Sequence, residues 1–276
     1  MAFTTNFVDT GPSALTVSTV GTPAYDVKTP ISGRPGSVLF NGTTDYLTVP
    51  SDSSLNFGAS SDFTVEAWVN IANFSTNHGV CGKHQSTSTN SGYGMYITTS
   101  GILVAMIYSS GTVTNTSATT SSIAINTWAH IAMVRRSGKI QAFINGVGGT
   151  QSATTTNNAD NTSLFYVGVF NGFNNFPGYI SNVRVSNIAR YSTTFFPGAL
   201  SVDANTMLFV RELQDQMISL EDPTSLTQIT TILDNQASVN TSSKSVYIAD
   251  NSRNMYIDAG TQEGFSTGST VVEDWS

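Results

Sequence analysis

The chain has 276 residues, 11 Lys/Arg against 18 Asp/Glu, and a formal net charge of −7. Only 11% of it is charged and 39% is hydrophobic, while Ser and Thr fill 74 positions. Disorder needs low hydrophobicity with high net charge, so this composition excludes it. A membrane helix needs an apolar run of about 18 residues or more, and the sequence has none. A coiled coil would be rich in Ala, Glu, Lys and Leu, and the near absence of Lys excludes it. Abundant Thr, Val, Ile, Tyr and Phe with 23 Gly read as β-structure with many turns. The single Cys81 forms no internal disulfide.

In chain order, Ser37–Asn41 and Tyr46–Val49 are predicted strands flanking the turn at Asn41-Gly42. Residues 63–70 alternate: Phe63, Val65, Ala67 and Val69 share one face, and Thr64, Glu66, Trp68 and Asn70 the other. Tyr93–Ile97 and Ile102–Tyr108 flank the turn Ser100-Gly101. Trp128–Arg136 and Lys139–Asn145 form the clearest hairpin, joined at Ser137-Gly138, and Asn145-Gly146 closes its second strand. Leu164–Phe170 and Tyr179–Ser186 follow. The Ser/Thr/Asn-rich tracts 83–92, 114–122 and 150–162 read as exposed loops. Turn signals every 8–12 residues are the mark of an all-β sandwich or barrel.

The last quarter differs. Residues 1–200 hold eight Lys/Arg and seven Asp/Glu, whereas residues 201–276 hold three and eleven. Leu208, Leu213, Met217 and Leu220 fit helical spacing, broken at Asp222-Pro223. Leu226, Ile229, Ile232 and Leu233 repeat that spacing. Strand-like pieces follow at Ser245–Ala249 and Asn254–Asp258. No basic stripe exists, so neither nucleic acid nor anionic lipid is an expected partner.

Three blocks carry a family resemblance. Residues 38–70 (VLFNGTTDYLTVPSDSSLNFGASSDFTVEAWVN) resemble the opening of a laminin G-like, concanavalin A-like domain. Residues 126–147 (NTWAHIAMVRRSGKIQAFINGV) resemble its central hairpin, and residues 176–197 (FPGYISNVRVSNIARYSTTFFP) its closing strand and turn. The resemblance implies an antiparallel β-sandwich jelly roll over residues 1–210. Residues 211–276 are then an extended, partly helical, acidic C-terminal segment for assembly contacts. Domains of this variety occur in bacteriophage structural proteins and in secreted bacterial proteins, and the fold serves lectins, glycosidases and adhesion domains alike.

Candidate chemistry is sparse. A glycosidase needs two carboxylates on one sheet face. Strand 63–70 carries only Glu66, with Asp62 roughly 13 Å away along an extended chain. Glu66 is therefore read as a partly buried carboxylate bonded to a neighbouring strand or loop. Cys81 and His84 lack an orienting third group. His78, His84 and His130 are too dispersed for zinc, and His130 is read as a satisfied sheet histidine. Calcium is the one cofactor to weigh, because the family resemblance implies loop oxygens, here of Asp45, Asp52, Asp62 and Asp160. No D-x-D-x-D run gathers these, and Asp45 is read as a turn cap. Sugar binding would use exposed aromatics. The loop Phe170–Phe176 has that chemistry, and Tyr93, Tyr96 and Tyr108 could line a sheet face. The same aromatics could equally fill the core or cover a subunit contact, so no single residue is assigned to carbohydrate.

The resulting expectation is a non-enzymatic bacteriophage virion protein of the decoration, fibre or knob type. Its partners would be other virion proteins, further copies of itself and host surface glycans. With no secretory signal at the start of the sequence, synthesis in the host cytoplasm and release within the virion are expected. The alternative is a carbohydrate-binding module of a bacterial surface protein.

Overall fold

The computed structural model describes residues 6–31, 36–84, 91–109, 112–117, 121–154, 156, 158–170, 172–213, 237–240, 245–250 and 253–258. Its first strands are β1 (Asn6–Asp9), β2 (Ser18–Val20), β3 (Ala24–Asp26), β4 (Ser37–Asn41), β5 (Tyr46–Val49), β6 (Phe63–Ile71) and β7 (His78–Lys83). Next come β8 (Gly92–Ile97), β9 (Leu103–Ser109), β10 (Thr112–Ser117), β11 (Ala129–Arg136), β12 (Lys139–Ile144) and β13 (Val147–Gly148). The series ends with β14 (Phe165–Val167), β15 (Pro177–Ser186), β16 (Thr206–Leu213), β17 (Ala237–Asn240), β18 (Ser245–Asp250) and β19 (Arg253–Asp258). Among the described residues the only helical element is a 3-10 turn at Ser53–Leu55, capped by the Asp52 side chain.

Residues Asn6–Glu212 form one compact unit. Sheet A runs β1-β16-β15-β6-β11-β12-β13, with β4 also on β15 and β3 on β4. Sheet B runs β10-β9-β8-β7-β14-β5-β2. The pairings among β2 to β16 are all antiparallel. Each strand turns alternate side chains inward, so the two sheets share one core. Sheet A contributes Phe63, Val65, Ala67, Val69 and Ile71 from β6 and Ile131 and Met133 from β11. Sheet B contributes Met95 and Ile97 from β8 and Leu103, Ala105 and Ile107 from β9. The antiparallel sandwich jelly roll expected from the sequence is the fold observed.

Hairpin β11–β12 turns at Ser137-Gly138, where both residues have positive φ (49° and 75°) and Arg136 pairs with Lys139. This is the primed turn whose twist matches the flanking strands. Asn145-Gly146 repeats it between β12 and β13. The Asn41-Gly42 turn has another task, carrying the chain from β4 in sheet A to β5 in sheet B.

Several sequence expectations need correction. Thr112–Ser117 lies in a tract read as loop, yet it pairs with β9 along the edge of sheet B. Its Thr/Val content suits a solvated edge strand as well as a loop. Leu164–Phe170 shortens to a three-residue strand, Phe165–Val167. Leu208 and Leu213 do not begin a helix; they lie on β16, where Leu208 and Val210 pair with Val185 and Val183 and enter the core. Inward positions two apart mark a strand. The helical spacing at Met217, Leu220, Leu226, Ile229, Ile232 and Leu233 falls outside the described residues.

The strands after Glu212 belong to a second unit. There β17, β18 and β19 form an antiparallel sheet, with Val239 facing Val246 and Tyr247 facing Tyr256. The expected strands at 245–249 and 254–258 coincide with β18 and β19.

Candidate functional site: an aromatic face on sheet B

Side chains on β8 and β9 that do not enter the core point to the outer side of sheet B. Tyr96, Val104, Met106 and Tyr108 gather there with Phe170 and Phe173. The loop after β14 folds back onto this face, and glycine makes the room. A Cβ on Gly94 would sit 2.4 Å from the Phe170 ring, and one on Gly82 2.6 Å from it. Phe170 is therefore fully buried although it lies outside the main core.

The loop is fixed at several points. Phe173 N donates to Phe170 O (3.0 Å), Asn174 N to Asn77 O (3.2 Å) and Phe176 N to Gly168 O (2.7 Å). The His78 ring lies 2.8 Å from Asn175 O, and Asn175 Nδ2 donates to Asp45 O. Phe176 and Phe170 are both buried, which leaves Phe173 as the half-exposed aromatic of the loop. It stacks on Tyr96, ring centroids 4.0 Å apart at 17°. His84 packs against Tyr108 at 4.3 Å. Burial pushes the Tyr96 hydroxyl pKa up, so the ring stays neutral. Of the three tyrosines expected to line a sheet face, Tyr96 and Tyr108 do so. Tyr93 does not: it is buried among Phe57, Phe63 and Phe165, with its hydroxyl bonded to Leu55 O. Alternation decides this, since Tyr93, Met95 and Ile97 share the inward parity of β8.

Glu66 lies on the outer face of sheet A and is closed off. Residues after β15 fold over it, with Tyr191 and Phe195 stacked at 3.5 Å above Ala132, Val134 and Phe143. Arg184 donates to Oε1 through Nε (2.8 Å), with Nη2 at 2.7 Å. Tyr191 donates to Oε2 (2.7 Å), and the His130 ring lies 3.1 Å from the same oxygen. Arg190 reaches from Glu66 Oε1 (3.7 Å) to an ion pair with Asp203 (2.7 Å). Burial alone would raise the Glu66 pKa, but the bond to His130 and the Arg184 charge outweigh it and hold the carboxyl below its usual range. A general acid needs the opposite shift. The sequence reading of Glu66 as a carboxylate bonded to neighbouring elements matches this geometry, although the enclosure is complete rather than partial. His130 is only half satisfied, since its Nδ1 is buried without a hydrogen-bond partner among the described residues.

The four loop aspartates are spent on main-chain donors. Asp45 accepts from Thr22 N and Asn41 N, Asp52 from Ser54 N, Asp62 from Ser137 N and Asp160 from Gly58 N. Among the described residues no group of three or more His, Cys, Asp and Glu side chains could hold a metal ion. Cys81 faces the core, and burial pushes its thiol up to about 12.

Sheet A carries a second aromatic strip on its outer face. Trp128 lies 6.3 Å from Tyr179, and the Lys28 ammonium sits 4.4 Å above the Tyr179 ring.

Solved structures share this sandwich. Botulinum neurotoxin type C, described as depending for cell entry on interaction with two ganglioside molecules, aligns with a TM-score of 0.50 and 14% identity over 67% of this chain and 46% of its own. The binding domain of botulinum neurotoxin serotype C1 aligns with the same score, identity and coverage. The alignment spans less than half of each neurotoxin chain, and at this identity the likeness speaks for the fold alone. No curated protein sequence matches the chain. The concanavalin A-like lectin/glucanases family model, of laminin G type, matches residues 41–194, more than half of the sequence, and the chain belongs to that superfamily.

Proposed function

We propose that the sandwich is a non-catalytic glycan-binding domain that uses the outer face of sheet B. The observation that carries this reading is the half-exposed Phe173 stacked on Tyr96 in a loop pinned from both sides. A pyranose ring offers a face of C–H groups, and a rigid aromatic ring is its complement. Partly exposed rings that are already ordered lose little entropy on binding. The closed, ionised Glu66 supports recognition rather than hydrolysis. Ganglioside glycans are one class to test, given what the same fold is described as needing in botulinum neurotoxin type C.

The setting we propose is a bacteriophage virion, where the domain decorates the particle or forms part of a fibre or knob. Support comes from a hydroxyl-rich composition with 11% charge and from a net negative charge carried by the last quarter of the chain. In this setting the partners are other virion proteins and further copies of the chain.

The test is binding to an array of immobilised glycans that includes bacterial surface polysaccharides and gangliosides. The intact chain should bind a defined glycan. Phe173→Ala should weaken that binding about tenfold, the equivalent of about 1.4 kcal/mol, with the fold retained. Binding to no glycan, or equal binding by both proteins, would overturn the reading.

A further inference from the structure

Lys83 ends β7 with its side chain turned into the sandwich. Its register partners are Tyr93 and Phe165, both core residues, and Lys83 itself is 0% exposed. A lysine inside a core needs a strong reason, because an unpaired buried ammonium is costly. Among the described residues no carboxylate forms an ion pair with it within 4.0 Å. Nζ instead meets the side-chain amide of Asn56, 2.5 Å from Oδ1, and also donates to Asn161 O at 2.9 Å.

The contact to Asn56 is shorter than the usual 2.7–3.2 Å of an N–H···O bond. Whatever the angle at Oδ1 between about 90° and 180°, a C=O bond of about 1.23 Å then puts Nζ roughly 2.8–3.7 Å from Asn56 Cγ, so the amine lies against the carbon it would attack. Burial favours the neutral, nucleophilic amine, which the fields of Asp160 and Asp52 only partly oppose. The Asn161 main-chain N–H donates to the same Oδ1 from 3.5 Å, on the side where negative charge would develop. Asn56 is half-exposed, which gives a small leaving group a way out.

We propose that Lys83 and Asn56 join spontaneously in an intramolecular isopeptide bond that ties β7 to the turn following β5. The neutral Lys83 amine attacks Asn56 Cγ. The Nζ–Cγ bond forms, the Cγ–Nδ2 bond breaks, and the proton lost from Nζ passes to Nδ2. Ammonia leaves, so no oxidant, cofactor or second substrate is consumed. The product is a neutral secondary amide in place of a buried amine.

The test is the intact mass of the folded, purified full chain under denaturing conditions, followed by tryptic mapping. The chain should be lighter than its sequence by one ammonia, about 17 Da, and trypsin should fail to cut after Lys83. Lys83→Met should restore the full mass. Asn56→Asp should still close the link, with water leaving in place of ammonia. Ring closure at an Asn-Gly step gives the same mass loss, but it would persist in Lys83→Met and leave cleavage after Lys83 intact. Folded protein at its full sequence mass, or a loss that survives Lys83→Met, would overturn the proposal.

Discussion

Replacing Glu66 by Gln isolates the energetics of the closed face of sheet A. The substitution keeps size and shape but removes the charge and turns one acceptor into a donor. Arg184, 7% exposed, loses its counter-ion, since its two nitrogens at 2.8 and 2.7 Å address one Glu66 oxygen. If the new amide oxygen turns to Arg184, the amide nitrogen faces Tyr191 and His130, which both meet the other oxygen. Breaking a buried pair from one side costs 3–5 kcal/mol in general. Arg190 lies 3.7 Å from Glu66 and supplies no compensating negative charge, so about 3 kcal/mol is expected. For a unit of this size 1 kcal/mol moves Tm by roughly 2–4 °C, so the melting point should fall by roughly 6–12 °C. Circular dichroism melts at pH 7 read this directly. The sign of the pH dependence is fixed by the depressed pKa of Glu66. Its stabilisation is full above the unfolded value of about 4.3 and is lost as pH falls through the lower folded value. The gap between the two proteins should therefore close in acid. An unchanged Tm at neutral pH, or a gap that widens in acid, would refute the reasoning.

Two further outcomes follow from the packing. Gly94→Ala should expel Phe170 from the outer face of sheet B, because the added carbon would sit 2.4 Å from its ring. Differential scanning fluorimetry should show a loss of roughly 1–3 kcal/mol, and glycan binding should fall with it; an unchanged melt would mean the ring has other room. The Cys81 thiol, pushed up to about 12 by burial, should resist a thiol reagent in the native protein and react fully in denaturant. Rapid native labelling would contradict its place in the core.

Much of the fold is legible in the sequence because sheet physics is local. The alternation of residues 63–70 sorts Glu66 and Trp68 from Val65 and Ala67 without reference to any partner strand. The Ser137-Gly138 and Asn145-Gly146 turns set their own registers. Less of the site is legible, because what covers an outer face is not a matter of period. Glu66 and Arg184 stand 118 positions apart, so nothing local marks them as a pair. Phe170 reads as a strand end or an exposed loop aromatic until Gly82 and Gly94 are seen to leave a slot for its ring. Tyr93 and Lys83 show the reverse case. Polar-ended side chains suggest the surface, yet parity on β8 and β7 turns both inward. Leu208 fits a helical run toward Leu213, Met217 and Leu220 and equally a strand face shared with Val210, and only pairing with β15 decides between them.

The most direct test of the central claim is saturation-transfer NMR on the protein bound to a glycan found by array. The account predicts transfer to one face of a sugar ring, abolished by Phe173→Ala and by Tyr96→Ala and unaffected by Trp128→Phe. Transfer that survives both sheet B substitutions and disappears with Trp128→Phe would place recognition on sheet A and contradict it.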